Sequence, residues 1–203
     1  MSAVEYRLHI MGSNGEAMHP QLESLMDEID AARQRLRVLV RVAPEKSWLR
    51  RPGPERWSMA ECLAHVNLTS AAYIPILRDG IARAAGLGRS GPVRYRHDFF
   101  GWLLWISNGP PVRFRVKTAA SFIPFHDKSL GEVFAEFDRY HEEQLACVRD
   151  ANGLPLSQVK IVSPFRAGMT YNLYSCLRIL PRHQHRHLWQ AEQAWEMIRN
   201  KTA

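Results

Sequence analysis

Three histidines carry most of the chemistry that this sequence offers. His183 and His187 sit in the run Arg182-His183-Gln184-His185-Arg186-His187-Leu188-Trp189-Gln190. In a helix, residues four apart lie one above the other. His183 and His187 therefore point the same way and can chelate one ion. His185 lies about 200° round from His183 by the same geometry and is expected to face solvent. His65 stands far upstream, in Trp57-Ser58-Met59-Ala60-Glu61-Cys62-Leu63-Ala64-His65. Taken singly, His65 reads as a satisfied core histidine, and the pair four apart reads as chance. Taken together, they offer three imidazoles from two helices. Three protein ligands and one open position is the pattern of catalytic rather than structural metal sites. Imidazole suits zinc, nickel, copper and iron, and zinc or nickel is the expectation for a divalent ion here.

The neighbours of these histidines each admit two roles. Glu61 is one turn before His65. It either completes a helix cap or also serves as a base toward water or toward a ligand imidazole. Gln190, three residues after His187, is either a hydrogen-bond partner of a ligand ring or a surface glutamine. Cys176 lies two turns before His183, near the same face. Buried cysteine usually behaves as a small apolar residue, and a reactive thiol is the alternative. His141 falls on an apolar helix face, where a core histidine bonded to a neighbour is the plainer reading. Trp57, Trp102, Trp105, Trp189 and Trp195 read as packing anchors, one of which walls a ligand cavity.

Four amphipathic segments must position these groups. Leu22, Leu25, Met26, Ile29, Leu36 and Leu39 recur at three- and four-residue steps and predict a first helix from Pro20, ended by Pro44. Ser58 with Glu61 is a capping box that starts a second helix. This one runs to about Ala85, before Gly86 and Gly88, with Pro75 expected to kink it. Ser129 with Glu132 is another such box and starts a third helix ending near Asn152-Gly153. A fourth begins near Thr170 and runs to about Asn200, with Pro181 expected to bend it. Between the second and third lies a long crossover, residues 86–128. It contains a short helix over 98–107, and Val112 to Val116 alternates apolar and basic residues like a strand. Residues 155–167 read as a linking loop. The pattern predicts an all-α four-helix bundle with a long crossover between helices 2 and 3. Residues 1–16 are expected to be a flexible tail and 17–203 a single domain.

The bulk numbers narrow the function classes. The 203 residues are 46% hydrophobic and 23% charged, enough for a core without disulfides. The three cysteines, Cys62, Cys147 and Cys176, are odd in number and unpaired in spacing, which fits a reducing, cytoplasmic setting. No segment has the apolar core of a signal peptide or the roughly 18 apolar residues of a membrane span. The net charge is +7 and the pI about 9.7. The 27 Lys and Arg are scattered, however, and no nucleic-acid-binding motif accompanies them, so nucleic acid is not the expected partner. GxSxG and phosphate-binding glycine loops are absent.

Trp57, Ser58, Glu61 and His65, followed by His183, His187 and Gln190, form a W-S-x-x-E…H pattern and a later H-x-x-x-H-x-x-Q. In this order they resemble the DinB superfamily of DinB/YfiT-like metalloenzymes. The stretch Pro110 to Pro124 also resembles a connector found in one branch of it. The likeness spans roughly residues 20 to 200. It implies an up-down-down-up bundle, a divalent metal on His65, His183 and His187, and a homodimer. It further implies an enzyme acting on a small-molecule substrate, namely a transferase or isomerase dependent on a low-molecular-weight thiol. A metal-dependent hydrolase, with Glu61 as catalytic base, is one alternative. A non-catalytic metal- or small-ligand-binding protein linked to stress is another. Pro181 departs from the pattern: two residues before His183, it removes a backbone donor and crowds the Leu177 carbonyl, which leaves the placement of His183 relative to His65 open.

Overall fold

The computed structural model describes residues 15–89, 91–111, 118–124, 128–166 and 168–201. The expected tail up to residue 14 and the alternating segment 112–116 lie outside the described residues. Helix α1 spans Pro20–Val42, with proline at its start and the His19 side chain accepting the Gln21 N–H. Its buried face is Leu22, Leu25, Met26, Ile29, Ala32, Leu36 and Leu39. Pro44 then caps a four-residue helix, α2 (Glu45–Trp48), which the periodicity was too short to reveal. Helix α3 spans Met59–Gly86 and opens with the Ser58–Glu61 capping box. It continues through Pro75.

The described residues of the crossover hold α4 (Phe99–Ser107), capped by Asp98, and a 3-10 turn over Ala120–Phe122. Helix α5 spans Leu130–Asp150, with Ser129 and Glu132 forming its capping box. The loop expected over 155–167 is in part a strand. β1 (Lys160–Val162) pairs antiparallel with β2 (Thr170–Asn172), Ile161 opposite Tyr171. The last helix, α6, consequently begins at Leu173 rather than Thr170, with Asn172 accepting the Ser175 N–H at its cap, and runs to Asn200. Three-residue strands carry too little periodicity to be seen beside a long helix.

Among the described residues the fold is all-α apart from this ribbon. α3 packs on α5 and α6, and α1 packs on the same two helices from the other side. Two apolar clusters result. One gathers Leu22, Ile29, Tyr73, Leu77, Leu145, Val148, Leu173 and Leu180. The other gathers Ala32, Leu36, Trp48, Leu63, Val66, Phe137, Leu188 and Ala191. Between them, α3, α5 and α6 each turn polar at one level. Buried there are His65, Asn67, Thr69 and Ser70 of α3, His141 and Gln144 of α5, and His183, Gln184 and His187 of α6. Buried polar groups require partners, so this belt is where the bundle departs from pure packing. Among the described residues, no helix is long and apolar enough to cross a membrane.

Candidate metal centre

His65 projects from the second turn of α3 and is almost wholly buried. Its Nδ1 lies 2.7 Å from the Phe122 carbonyl oxygen. A carbonyl only accepts, so Nδ1 carries the proton and Nε2 keeps its lone pair. That Nε2 is 3.3 Å from Nε2 of His183, and His183 Nε2 is 3.0 Å from Nε2 of His187. Each ring offers one nitrogen, and the three lie within 4.8 Å of one another. Among the described residues, this is the one cluster of His, Cys, Asp and Glu with that convergence. Pro181 is inside α6, yet the distances show that His183 has not been carried away from His65.

Electrostatics keep the rings neutral. Burial lowers the His65 pKa, opposed by its bond to Phe122 and aided by the positive charge of Arg186. His183 is held well below the ordinary histidine value by burial, by His65 and by Arg186. His187 is likewise held well below it, first by burial and then by His183, His65 and Arg186. Gln190 acts on His187 in the raising direction. Neutral imidazole is the form that binds a metal.

The residues fit a divalent ion. A neutral ring has one N–H, so hydrogen bonds among three converging Nε2 atoms leave at least one lone pair, that of His65 or of a neighbour, free for an ion. Nitrogens sharing one tetrahedral zinc would stand about 3.3 Å apart, and the His65–His183 and His183–His187 separations are 3.3 and 3.0 Å. Among the described residues, Nδ1 of His183 and Nδ1 of His187 are buried without a hydrogen-bond partner. These are the positions that ordinarily orient a ligand ring.

The triad opens onto a cavity of about 980 Å³. Trp57, Thr69, Tyr73, Phe165, Arg186, Trp189 and Gln190 contribute to its lining. The Trp57 ring lies 5.0 Å from His65 and stacks at 6.0 Å on His187. The Arg186 guanidinium donates to the Ser107 carbonyl at 3.0 Å, which ties α6 to the end of α4.

Glu61 does not line the cavity. Its carboxylate accepts the Ser58 backbone N–H and pairs with the Arg51 guanidinium. Gln190 does line the cavity. Cys176 is fully buried, away from the lining, and burial pushes its thiol far up. His141 is 2.9 Å from Asp30 on α1 and does not reach the cavity. His185 turns away from the triad, but not to solvent: its Nε2 meets the Glu28 carbonyl at 2.9 Å. Trp57 and Trp189 wall the cavity. Trp195 packs against the second core cluster. Trp105 lies under the Arg182 guanidinium at 4.8 Å, and Trp102 is half exposed. Sequence reasoning missed the Phe122 carbonyl, Arg186 and Phe165. The Pro110–Pro124 connector was visible as a segment, but a backbone acceptor has no side-chain signature.

A family model of the DinB superfamily matches residues 28–191, a span that contains all three histidines. No curated protein and no solved structure gives a significant match.

Proposed function

The chain belongs to the DinB superfamily, and from that premise we propose that it is a divalent-metal-dependent enzyme with its ion on His65, His183 and His187. The reaction class we favour is transfer or isomerisation assisted by a low-molecular-weight thiol, with zinc or nickel as the ion. The observation that carries the reading is the convergence of three neutral, buried imidazole nitrogens, 3.0 and 3.3 Å apart along the chain of contacts, at the wall of a cavity of about 980 Å³. Such an ion, when bound, supplies Lewis acidity and favours the thiolate form of a thiol.

The chain's own residues provide the rest. The Phe122 carbonyl fixes the tautomer of His65. Trp57 and Trp189 shield the triad with aromatic surface. Arg186 places a positive charge beside three neutral ligands, so the site attracts an anionic ligand such as a thiolate. Supporting an enzyme over a passive binder, the protein supplies three nitrogens and leaves space beside them for a small molecule. Hydrolysis has less support, because the carboxylate of Glu61 is engaged by Arg51 and Ser58. Three buried free cysteines support a reducing, cytoplasmic location. The exposed apolar side chains of α4, Phe99, Phe100 and Leu103 among them, support a homodimer.

Elemental analysis of natively purified protein beside H65A, H183A and H187A tests the reading. Stoichiometric metal is expected in the parent, and each variant should lose it while keeping its helical circular dichroism. Parent protein that binds neither zinc nor nickel in a competitive titration would overturn it.

A further inference from the structure

The cavity has a second polar end. Thr69 and Tyr73 follow His65 by four and eight residues on α3, and all three line the cavity. At a rise of 1.5 Å per residue they stand about 6 and 12 Å along the helix from the histidine. Thr69 is fully buried, and its Oγ1 has no hydrogen-bond partner among the described residues. A hydroxyl inside a helix can turn back onto the carbonyl four residues earlier. Ser70 does so, reaching the Val66 carbonyl at 2.9 Å, whereas Thr69 makes no such bond. Beyond it, the Tyr73 and Tyr171 hydroxyls are 2.8 Å apart, and the Ser163 hydroxyl, also on the cavity wall, bears on both. Burial pushes both phenols upward, so they remain protonated and uncharged.

Among the described residues, none of the charged side chains of the lining is buried with these hydroxyls or acts on either phenol. Glu55, Arg56 and Arg166 are exposed at the surface, and Arg186 acts on the histidines. The Thr69–Tyr73 arm thus presents hydroxyls between apolar walls that include Phe165 and Met169.

We propose that this arm binds a neutral oxygen function, a hydroxyl or a carbonyl, of the molecule whose other end reaches the three histidines. The inference rests on the metal reading above and adds the chemical class of the remote group. A buried hydroxyl without a partner is costly, and a ligand oxygen that satisfies it is selected over an apolar isostere. The ligand is therefore a metal-seeking head joined to an uncharged polar group one to two helical turns away.

The test uses cobalt(II)-loaded full-length protein and thiols as probes, because a thiolate on cobalt gives a near-ultraviolet charge-transfer band. The thiol binds as thiolate and releases its proton to buffer. Unbranched alkanethiols are compared with ω-hydroxyalkanethiols of equal length over a graded series. At one chain length the hydroxyl compound is expected to bind about tenfold more tightly. T69V, which preserves shape, and Y73F should each reduce that preference while leaving cobalt stoichiometry and ethanethiol binding unchanged. Equal affinity of the two series at every length overturns the proposal, as does a preference that survives in T69V and Y73F. No cobalt uptake, or no band with ethanethiol, overturns the metal reading itself and this inference with it.

Discussion

The ring of His65 is held by the backbone of Phe122, whose carbonyl oxygen accepts from Nδ1 at 2.7 Å. That single bond fixes which nitrogen faces His183. The Phe122 side chain is buried, and its ring lies 4.2 Å from that of Phe165, so packing locates the carbonyl. Removing this anchor by F122A should loosen the 3-10 turn without touching a ligand. Metal affinity is expected to fall about 10- to 100-fold, the usual effect of losing a partner that orients a ligand. A competitive chelator titration reads the change, and circular dichroism should show the helices unaltered. Unchanged affinity would mean that His65 does not need this acceptor.

The buried triad makes the metal-free protein sensitive to acid. All three histidines have folded-state pKa values below the ordinary 6.5. Below 6.5, the unfolded chain takes up protons that the folded chain refuses. Unfolding is then favoured, and stability declines as pH falls through that window. Each such proton contributes about 1.4 kcal/mol per pH unit. Urea midpoints of metal-free protein at pH 7.5, 6.5 and 5.5 should therefore fall mainly over the second interval. H183A should flatten the fall, because it removes one of the refused protons.

The four long helices were legible because each carries its own signals: apolar residues at helical spacing, and the boxes Ser58–Glu61 and Ser129–Glu132. The triad was legible for a related reason. His183 and His187 share a helix face by spacing alone, and the motif around His65 supplied the third ring. What stayed hidden depends on tertiary contact. Phe122 contributes a carbonyl, which no residue type announces. His185 was correctly turned from the triad, but only the position of α1 shows that it meets Glu28. Thr170 to Asn172 became a strand because Lys160 to Val162 lies beside it, a pairing that three-residue segments cannot signal. Pro181 left the placement of His183 open, and only the folded helix shows its Nε2 at 3.3 Å from that of His65.

Glu61 stabilises the fold from the start of α3. Burial alone would raise its pKa, but hydrogen bonds from Arg51 and Ser58 outweigh that and lower it below the ordinary 4.5. Its contribution is therefore present above pH 4.5 and lost as pH falls through the folded value. Arg51 is 44% exposed, so water screens the pair and the cap accounts for much of the effect. E61Q should cost about 1–2 kcal/mol in urea unfolding with metal content unchanged. A variant of full stability and no turnover would instead restore the catalytic reading of this carboxylate.

His185 separates chelation from mere histidine content. It lies between His183 and His187 in sequence, yet its ring bonds to the Glu28 carbonyl, and the Arg35 guanidinium reaches its backbone oxygen at 3.2 Å. H185A should remove about 1 kcal/mol of stability through the lost bond between α6 and α1. Bound metal, measured by mass spectrometry of the native protein, should remain stoichiometric. Loss of metal in H185A comparable to that in H183A would mean that the assignment of ligands within this run is wrong.

The seat of α4 depends on Gly101. A Cβ built there would fall 2.1 Å from Ser175 Oγ and 2.6 Å from Asp98 Oδ1. Ser175 is fully buried near the start of α6, and Asp98 caps α4, so neither neighbour can yield without moving a helix end. G101A should therefore push α4 outward and cost about 1–3 kcal/mol. Because the Ser107 carbonyl at the far end of α4 holds Arg186, the displacement should also loosen the cation beside the triad. Anionic ligands should then bind the metal-loaded protein more weakly, while the ion itself stays bound. Gly131 supplies the control: it sits in the first turn of α5 with nothing within 4 Å of an added Cβ. G131A should leave ligand binding unchanged and raise stability by up to about 1 kcal/mol. If the two variants behave alike in urea and azide titrations of the metal-loaded protein, close contact at Gly101 does not set the position of α4.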